Sequence, residues 1–361
     1  MGELTMLGQT IERKTPQGVT LLWAPRSRCD MGCRYCYFGT IEQHRLLPVT
    51  EVGKLSHLSR ADLSAEQLLA FAATLRHSAV QRVFLAGGEP LNWPPMMRLI
   101  GVLKDAGVQV VVCTSGIPLN RPKIVEGLVE LGVDAVSVSL DSADPTYNDT
   151  WRPALNSRDG WHQVISGVRA LLAARAGAAL PRVGLYSVIT RLNLPDITNV
   201  ANLAADLGCD YVVPQPISLA PDHDLYEELT LTGAHIAELN ERFGALYAAQ
   251  LPLHLPPASY PGHVAAAVAA PTGQVPGCFG GHTLFFVEPD GSVWDCPSSL
   301  RIAATPPERH RSIAGADAAH LFAAPVGCAA DCGLFSADCV NMWPLMDFER
   351  IIAAHPTTGT S

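Results

Sequence analysis

Charge is scarce in this sequence. Asp, Glu, Lys and Arg together make up 16% of its 361 residues, the formal net charge is −9, and no run of Lys or Arg occurs. Binding along a phosphate backbone needs clustered cations, so a nucleic-acid partner is not expected. Long apolar runs are missing too. None approaches the roughly 20 residues that cross a bilayer, and residues 1–10 lack the basic-then-apolar pattern of a signal peptide. The expectation is a cytoplasmic protein with no membrane partner. The histidines are scattered, without H-x-x-H or comparable metal spacing, and are assigned no role. What is plentiful is apolar sequence, 48% of the chain, and cysteine, ten residues. The length and apolar content suit one large domain with a smaller one. Ten cysteines without an export signal favour metal ligation over disulfides, because the cytosol keeps thiols reduced.

Three of the cysteines fall in one short loop, Cys29-Asp30-Met31-Gly32-Cys33-Arg34-Tyr35-Cys36, at C-x3-C-x2-C spacing. Cysteine sulfur is the usual ligand of iron–sulfur clusters, and three thiolates from one loop can hold three irons of a [4Fe–4S] cube. The fourth iron is then open to a small molecule. A zinc knuckle and a disulfide are the alternatives. Zinc sites usually pair cysteines, or cysteine with histidine, and no fourth partner lies nearby.

Around this loop the chain alternates between buried strands and amphipathic helices. A first strand over 18–24 leads into the cysteines. A capping box, Ser64 with Gln67, opens a helix that carries Leu68, Leu69, Phe71, Ala72 and Leu75 on one face. Strands are predicted over 82–86, 108–113, 135–140, 182–189 and 211–214, with helices near 95–105, 122–131, 161–174, 195–207 and 233–249. Six strand–helix units imply a parallel sheet. They are too few for a closed eightfold barrel. The fold class is therefore α/β, a partial (β/α)6 TIM-like barrel over 1–250. A linker and a small cysteine-rich domain containing a β-hairpin are expected over 251–361.

In parallel α/β folds, ligands bind beyond the carboxyl ends of the strands. The cysteine loop, Gly87-Gly88-Glu89-Pro90, Thr114-Ser115-Gly116, Asp141-Ser142, Thr190-Arg191 and Gln215-Pro216 follow strands one to six in turn. Gly87 and Gly88 let backbone approach a ligand closely, and Glu89 offers an acceptor for an ammonium group. Arg152, just past the fourth strand, has the guanidinium fork that suits a carboxylate; the alternative is a surface ion pair. Cys113 and Cys209 read as buried apolar fillers. Residues 264–270 are too plain to interpret.

The cysteine loop, with Tyr35 before its last cysteine, and the Gly87-Gly88-Glu89-Pro90 motif some fifty residues later resemble the signatures of the radical S-adenosylmethionine (SAM) superfamily. The resemblance implies a [4Fe–4S] cluster on Cys29, Cys33 and Cys36. Its open iron would chelate SAM, and reductive cleavage of SAM would give a 5′-deoxyadenosyl radical that takes a hydrogen atom from substrate. It also implies a partial barrel and an external one-electron reductant such as flavodoxin or ferredoxin. It places Tyr35 against adenine, Glu89 on the SAM amino group, Ser139 on ribose or carboxylate, Asp141 on SAM or substrate, and Arg152 on the SAM carboxylate. Thr114 and Ser115 stand where relatives carry Thr-Asn-Gly.

Five more cysteines follow the linker: Cys278, Cys296, Cys328, Cys332 and Cys339. Glu288-Pro289-Asp290-Gly291 reads as a hairpin turn that brings Cys278 and Cys296 towards one end. The cluster of cysteines points to a second metal site, with a structural zinc or spare thiols as alternatives. The region is similar to the SPASM/twitch extension of radical SAM enzymes. Five ligands are too few for two more clusters, so one auxiliary [4Fe–4S] is expected on Cys278, Cys296 and two of Cys328, Cys332 and Cys339. The spare thiol, Cys328 or Cys339 among them, could return a hydrogen atom. A cobalamin-dependent reaction is not expected, with 28 residues before Cys29. The function implied is oxidation, cross-linking or epimerisation of a ribosomally made peptide in natural-product biosynthesis. The alternative is a tailoring reaction on an aminoglycoside, nucleoside or other sugar-derived small molecule. A non-catalytic iron–sulfur carrier or redox sensor is the alternative of a different class, but it would not need Glu89, Ser139 and Arg152 on one mouth.

Overall fold

A computed structural model describes residues 18–36, 62–219, 223–269, 278–298, 301–302, 304–323 and 337–352. Six parallel strands form its centre: β1 (Val19–Trp23), β2 (Val80–Leu85), β3 (Gln109–Thr114), β4 (Ala135–Ser139), β5 (Arg182–Ile189) and β6 (Tyr211–Pro216). Between and after them run α1 (Ala65–Thr74), α2 (Met96–Asp105), α3 (Pro122–Glu130), α4 (Pro145–Trp151), α5 (Gly160–Arg175), α6 (Ile197–Leu207) and α7 (Ile236–Ala248). Each strand runs parallel to the last because a helix carries the chain back across the sheet. The capping box at Ser64 is formed in both directions and starts α1.

Strand periodicity divides the core in two. Leu21, Trp23, Val83, Leu85, Val110, Val112, Val136 and Val138 face the helices in the large core. Residues of opposite parity, Phe84, Val111, Ala135, Tyr211 and Val213, form an inner layer. Such alternation follows from side chains pointing to opposite faces along a strand. With both faces covered, the strands read as continuous apolar runs.

The C-terminal third joins the same sheet. β7 (Leu284–Val287) and β8 (Ser292–Trp294) form the antiparallel hairpin, turned at Gly291 with φ 87°. β7 then pairs in parallel with β1, Leu21 opposite Phe285, so the described strand order is β6-β5-β4-β3-β2-β1-β7-β8-β9, open at both edges, with β9 at Arg311–Ser312. Edge pairing of β7 with β1 was not legible in the sequence. The plain alanine–valine run over 264–269 belongs to α8 (Tyr260–Ala269), which buries Tyr260, Val264 and Ala267 in the large core.

Two further helices, α9 (Ala337–Met346) and α10 (Phe348–Ile352), return into the barrel. Leu345, Phe348 and Ile351 pack on its inner layer, with Phe348 edge-on to Phe84 at 5.0 Å and to Tyr211 at 5.5 Å. Asn341 Nδ2 donates to the carbonyl of Pro216 at 3.1 Å and ties α9 to the end of β6. α10 fills the end of the barrel where the strands begin, with Glu349 pairing Arg82. At the carboxyl ends of the strands a cavity stays open, and α9 forms part of its wall.

Candidate active site

The cavity holds about 300 Å³, the lower end of the range for small-molecule sites. Cys29, Cys33 and Cys36 line it together with Tyr35, Gly87, Gly88, Glu89, Thr114, Ser115, Ser139 and Arg152. Residues from four strand ends thus meet on one wall. Cys278 and Cys296 do not line it, and neither does Cys339.

The cysteine loop is held by backbone. Gly32 N donates to Pro153 O at 2.8 Å, Arg34 N to Trp151 O at 3.0 Å, and Leu155 N to Asp30 O at 2.9 Å. The turn after α4 is therefore the loop's bed, a role with no motif in the sequence. The glycines of the second motif line the cavity and also have a structural reason. A Cβ on Gly88 would lie 2.0 Å from the carbonyl oxygen of Arg28, and one on Gly87 would lie 2.7 Å from that of Arg26. Gly88 N and Glu89 N donate to those same two carbonyls, Arg26 at 2.9 Å and Arg28 at 2.8 Å. They permit a close approach to the chain entering the cysteine loop as well.

Glu89 is buried at the end of β2 with both carboxylate oxygens engaged. Oε1 accepts from Leu91 N at 2.9 Å, Oε2 from Ser115 N at 2.6 Å, and the Thr114 hydroxyl reaches both at 2.9 and 3.0 Å. Thr114 and Ser115 thus hold Glu89 in place, while the Ser115 Oγ, itself buried, has no partner. Burial, and then the charge of Asp30, push the Glu89 carboxyl up to about 7. Burial and then Glu89 also push the Cys29 thiol upward; burial does the same to Cys33, with Arg152 opposing. A cluster held by these thiols would offset all three effects, because a coordinated thiol is deprotonated outright.

Tyr35 lies against Trp151, ring centroids 6.3 Å apart, and its hydroxyl donates to Asp141. Arg152 Nη1 reaches the same Asp141 oxygen at 3.3 Å, and Val188 N donates to the other at 2.8 Å. Asp141 is therefore placed differently from the expectation of a ligand contact. It stands behind the wall, its oxygens taken by Tyr35, Arg152 and β5, and it does not line the cavity. Arg152 does, buried, with Nε unpartnered. Thr190 and Arg191 also stay out of the wall: Thr190 N is bonded by Asn193 Oδ1 at 2.7 Å, and Arg191 Nη1 by Glu227 O at 2.5 Å.

Two readings from sequence change here. Cys113, taken as an apolar filler, is on the inner face of β3 and lines the cavity. Cys209 does fill the outer core. Gln215, expected at the mouth, is on the wall; Tyr186, Ser137, Asn341 and Met342 also form it and were assigned no role. For the strand residues the signal was present: Ser137, Tyr186 and Gln215 share inward parity. Asn341 and Met342 come from a helix whose return into the barrel no local pattern announces.

A second, tighter space of about 20 Å³ lies beside the hairpin, lined by Cys278, Cys296, Cys339, Leu284, Trp343 and Met342 among others. Gly280 separates the first two cysteines; a Cβ there would be 3.5 Å from Cys278 Sγ and 3.2 Å from Cys296 Cβ. Met342 borders both spaces. Cys328 and Cys332 lie outside the described residues. No trio of His, Cys, Asp or Glu among the described residues is grouped to hold a single metal ion.

The sequence profile of the radical SAM superfamily matches residues 24–204, half of the chain. The chain belongs to that superfamily. Radical SAM membership implies a [4Fe–4S] cluster and SAM. Among curated relatives, the GTP 3′,8-cyclase of Pseudomonas entomophila (strain L48) is 28% identical over 226 residues, 62% of this chain and 61% of that protein. The GTP 3′,8-cyclase of Moorella thermoacetica is 30% identical over 54% of each chain. The chain thus spans between about half and three-fifths of the length of these relatives. Among solved structures, Streptococcus suis SuiB bound to the precursor peptide SuiA aligns over 90% of this chain and 75% of that one, with TM-score 0.60 and 14% identity. That likeness shows the fold, which is the radical SAM partial barrel. No helix among the described residues is long and apolar enough to cross a membrane.

Proposed function

We propose that this radical SAM protein is an enzyme that binds its cluster on Cys29, Cys33 and Cys36 and holds SAM between Glu89, Ser115, Ser139, Tyr35 and Arg152. The observation that carries this reading is that all of these side chains line one cavity and two of them keep unmet needs there: Ser115 Oγ and Arg152 Nε lack partners. When bound, cluster and SAM supply a 5′-deoxyadenosyl radical that takes a hydrogen atom from substrate. The chain's own residues do the positioning. Glu89 receives the ammonium group, and its pKa near 7 falls as that cation arrives. The Arg152 guanidinium faces the carboxylate. Asp141 orients both Tyr35 and Arg152 from behind. Placement in the cavity then selects which C–H bond is presented.

The convergence of Cys278, Cys296 and Cys339 around the second space favours one auxiliary [4Fe–4S] cluster of the twitch type, with the fourth ligand from Cys328 or Cys332. An external one-electron reductant of the flavodoxin or ferredoxin class supplies the electrons. For the substrate we infer a ribosomally made peptide. The cavity wall beyond the SAM contacts is built of Leu22, Ile217, Met342 and Leu345 with neutral Ser137, Tyr186, Gln215 and Asn341, which suits a peptide segment. The similarity to GTP 3′,8-cyclases over half the chain or more keeps a nucleoside or other sugar-derived metabolite as the second reading.

The test is anaerobic reconstitution with iron, sulfide, SAM and reductant. The protein should release 5′-deoxyadenosine and Cys33→Ala should not; equal release by both contradicts the assignment. Release with a precursor peptide present should rise, and product mass then gives the outcome: two hydrogens lost for oxidation or cross-linking, no change for epimerisation.

A further inference from the structure

Among the described residues, Cys113 is the one cysteine of the first cavity that lies outside the C-x3-C-x2-C loop. It is at the carboxyl end of β3, in register with Ser137 of β4. Its neighbours in sequence, Val112 and Thr114, face the other way: Val112 is in the outer core, and Thr114 bonds Glu89. Cys113 packs instead with the inner layer, against the cluster of Phe84, Val111 and Tyr211, and remains half-buried where that layer opens into the cavity. It is not in a disulfide.

The position is a boundary. On one side stands Glu89, the proposed anchor of the SAM ammonium and the charged group that acts on Cys113. On the other stand Tyr186 and the neutral wall of Ser137, Gln215, Asn341 and Leu345. A ligand is called for here by more than the thiol. Ser115, two residues along and 7% exposed, has an Oγ without a partner. The Tyr186 hydroxyl and Asn341 Oδ1 are likewise buried and unpartnered. The Asn341 amide cannot turn to relieve this, because its Nδ2 is held by Pro216 O. Buried polar atoms left in this state at a cavity wall mark where a bound molecule completes the hydrogen bonding.

We propose that Cys113 is a catalytic hydrogen-atom donor to the substrate radical formed in this cavity. The inference rests on the radical SAM reading above and deepens it towards epimerisation or another hydrogen-returning outcome. The step balances as follows. The substrate carbon radical takes a hydrogen atom from Cys113, so an S–H bond breaks, a C–H bond forms and a thiyl radical remains on Cys113. One electron from a flavodoxin- or ferredoxin-class reductant and one proton from solvent restore the thiol. Over the cycle one SAM, two electrons and one proton are consumed, and the product has the substrate's mass. The site keeps the donor in its hydrogen-bearing form: burial, and then Glu89, push the thiol up to about 12, so it is not lost as thiolate.

The experiment needs no known substrate: SAM and substrate share this one cavity, so with substrate absent the 5′-deoxyadenosyl radical is the carbon radical that a thiol on its wall quenches. Reconstituted protein is given SAM and dithionite in heavy water, where a thiol exchanges to S–D, and the 5′-deoxyadenosine formed without substrate is weighed by mass spectrometry. The wild type should yield the singly deuterated nucleoside, and Cys113→Ala the unlabelled one. Cys113→Ser retains the volume and an exchangeable proton, but its O–H bond is too strong to release a hydrogen atom, so its label should also be lost. Cys209→Ala, in the outer core, should keep the label. Unlabelled product from the wild type, or undiminished label from both Cys113 variants, overturns the donor assignment and leaves the radical SAM reading standing. No 5′-deoxyadenosine at all from the wild type overturns both.

Discussion

Replacing Glu89 by glutamine separates what this carboxylate does for the fold from what it does for a ligand. In the ligand-free protein it is buried, and its carboxyl is raised from 4.5 to about 7, first by desolvation and then by Asp30. Between those pH values the native state keeps a proton that the unfolded chain has released. Stability therefore falls as pH rises through this window and levels off above it. The ionised form is disfavoured by about 3 kcal/mol, an order-of-magnitude figure. Glutamine removes that pH dependence but gives up one acceptor: its amide nitrogen meets the N–H of Leu91 or of Ser115, so the variant starts out less stable by about 1–3 kcal/mol. Urea unfolding of the ligand-free protein at pH 5.5 and pH 8 should show wild type losing about 2 kcal/mol more than Glu89→Gln across that range, the rest of the loss lying below pH 5.5. SAM binding should go the other way. A hydrogen bond to a charged group contributes about 1.5–3 kcal/mol, so the variant should bind SAM roughly 10- to 150-fold more weakly at pH 8. Equilibrium dialysis on the reconstituted protein measures this. A variant that binds SAM with wild-type affinity, or keeps the wild-type pH dependence, refutes the reasoning.

Other perturbations test other parts of the site. Gly88→Ala puts a methyl group 2.0 Å from a backbone carbonyl that cannot rotate away; it should cost about 1–3 kcal/mol and lower iron content by displacing the cysteine loop, as thermal unfolding and iron assay will show. Cys278→Ala with Cys296→Ala should reduce iron from about eight to about four per chain, whereas unchanged iron removes the auxiliary cluster. Phe348→Ala deletes the ring between Phe84 and Tyr211 and should destabilise by about 3–5 kcal/mol in a denaturant titration.

The parallel barrel was legible because each unit carried its own local signals. The capping box at Ser64, the six apolar runs and the turn at Gly291 each predicted an element that the structure contains. Strand order followed from helical crossovers. The cysteine loop and Gly87-Gly88-Glu89-Pro90 fell on one mouth because both follow strands of one sheet. What escaped depends on partners far apart in sequence. Pairing of β7 with β1, the return of α9 into the barrel and the support of the cysteine loop by residues 151–155 are tertiary choices with no local pattern. Asp141 was misplaced for a related reason. Its motif gave its strand, but not that Tyr35 and Arg152 would occupy its carboxylate. Cys113 was misjudged from the general tendency of free cysteines to be buried, although its parity with Val111 already put it on the inner face.

The central claim is that Cys29, Cys33 and Cys36 hold a cluster with one iron left for SAM. Its most direct test is electron paramagnetic resonance of reduced Cys278→Ala/Cys296→Ala protein, in which the first cluster is observed alone. A [4Fe–4S] signal that shifts when SAM is added is the predicted result. A spectrum indifferent to SAM, or zinc in place of iron on those three sulfurs, contradicts it.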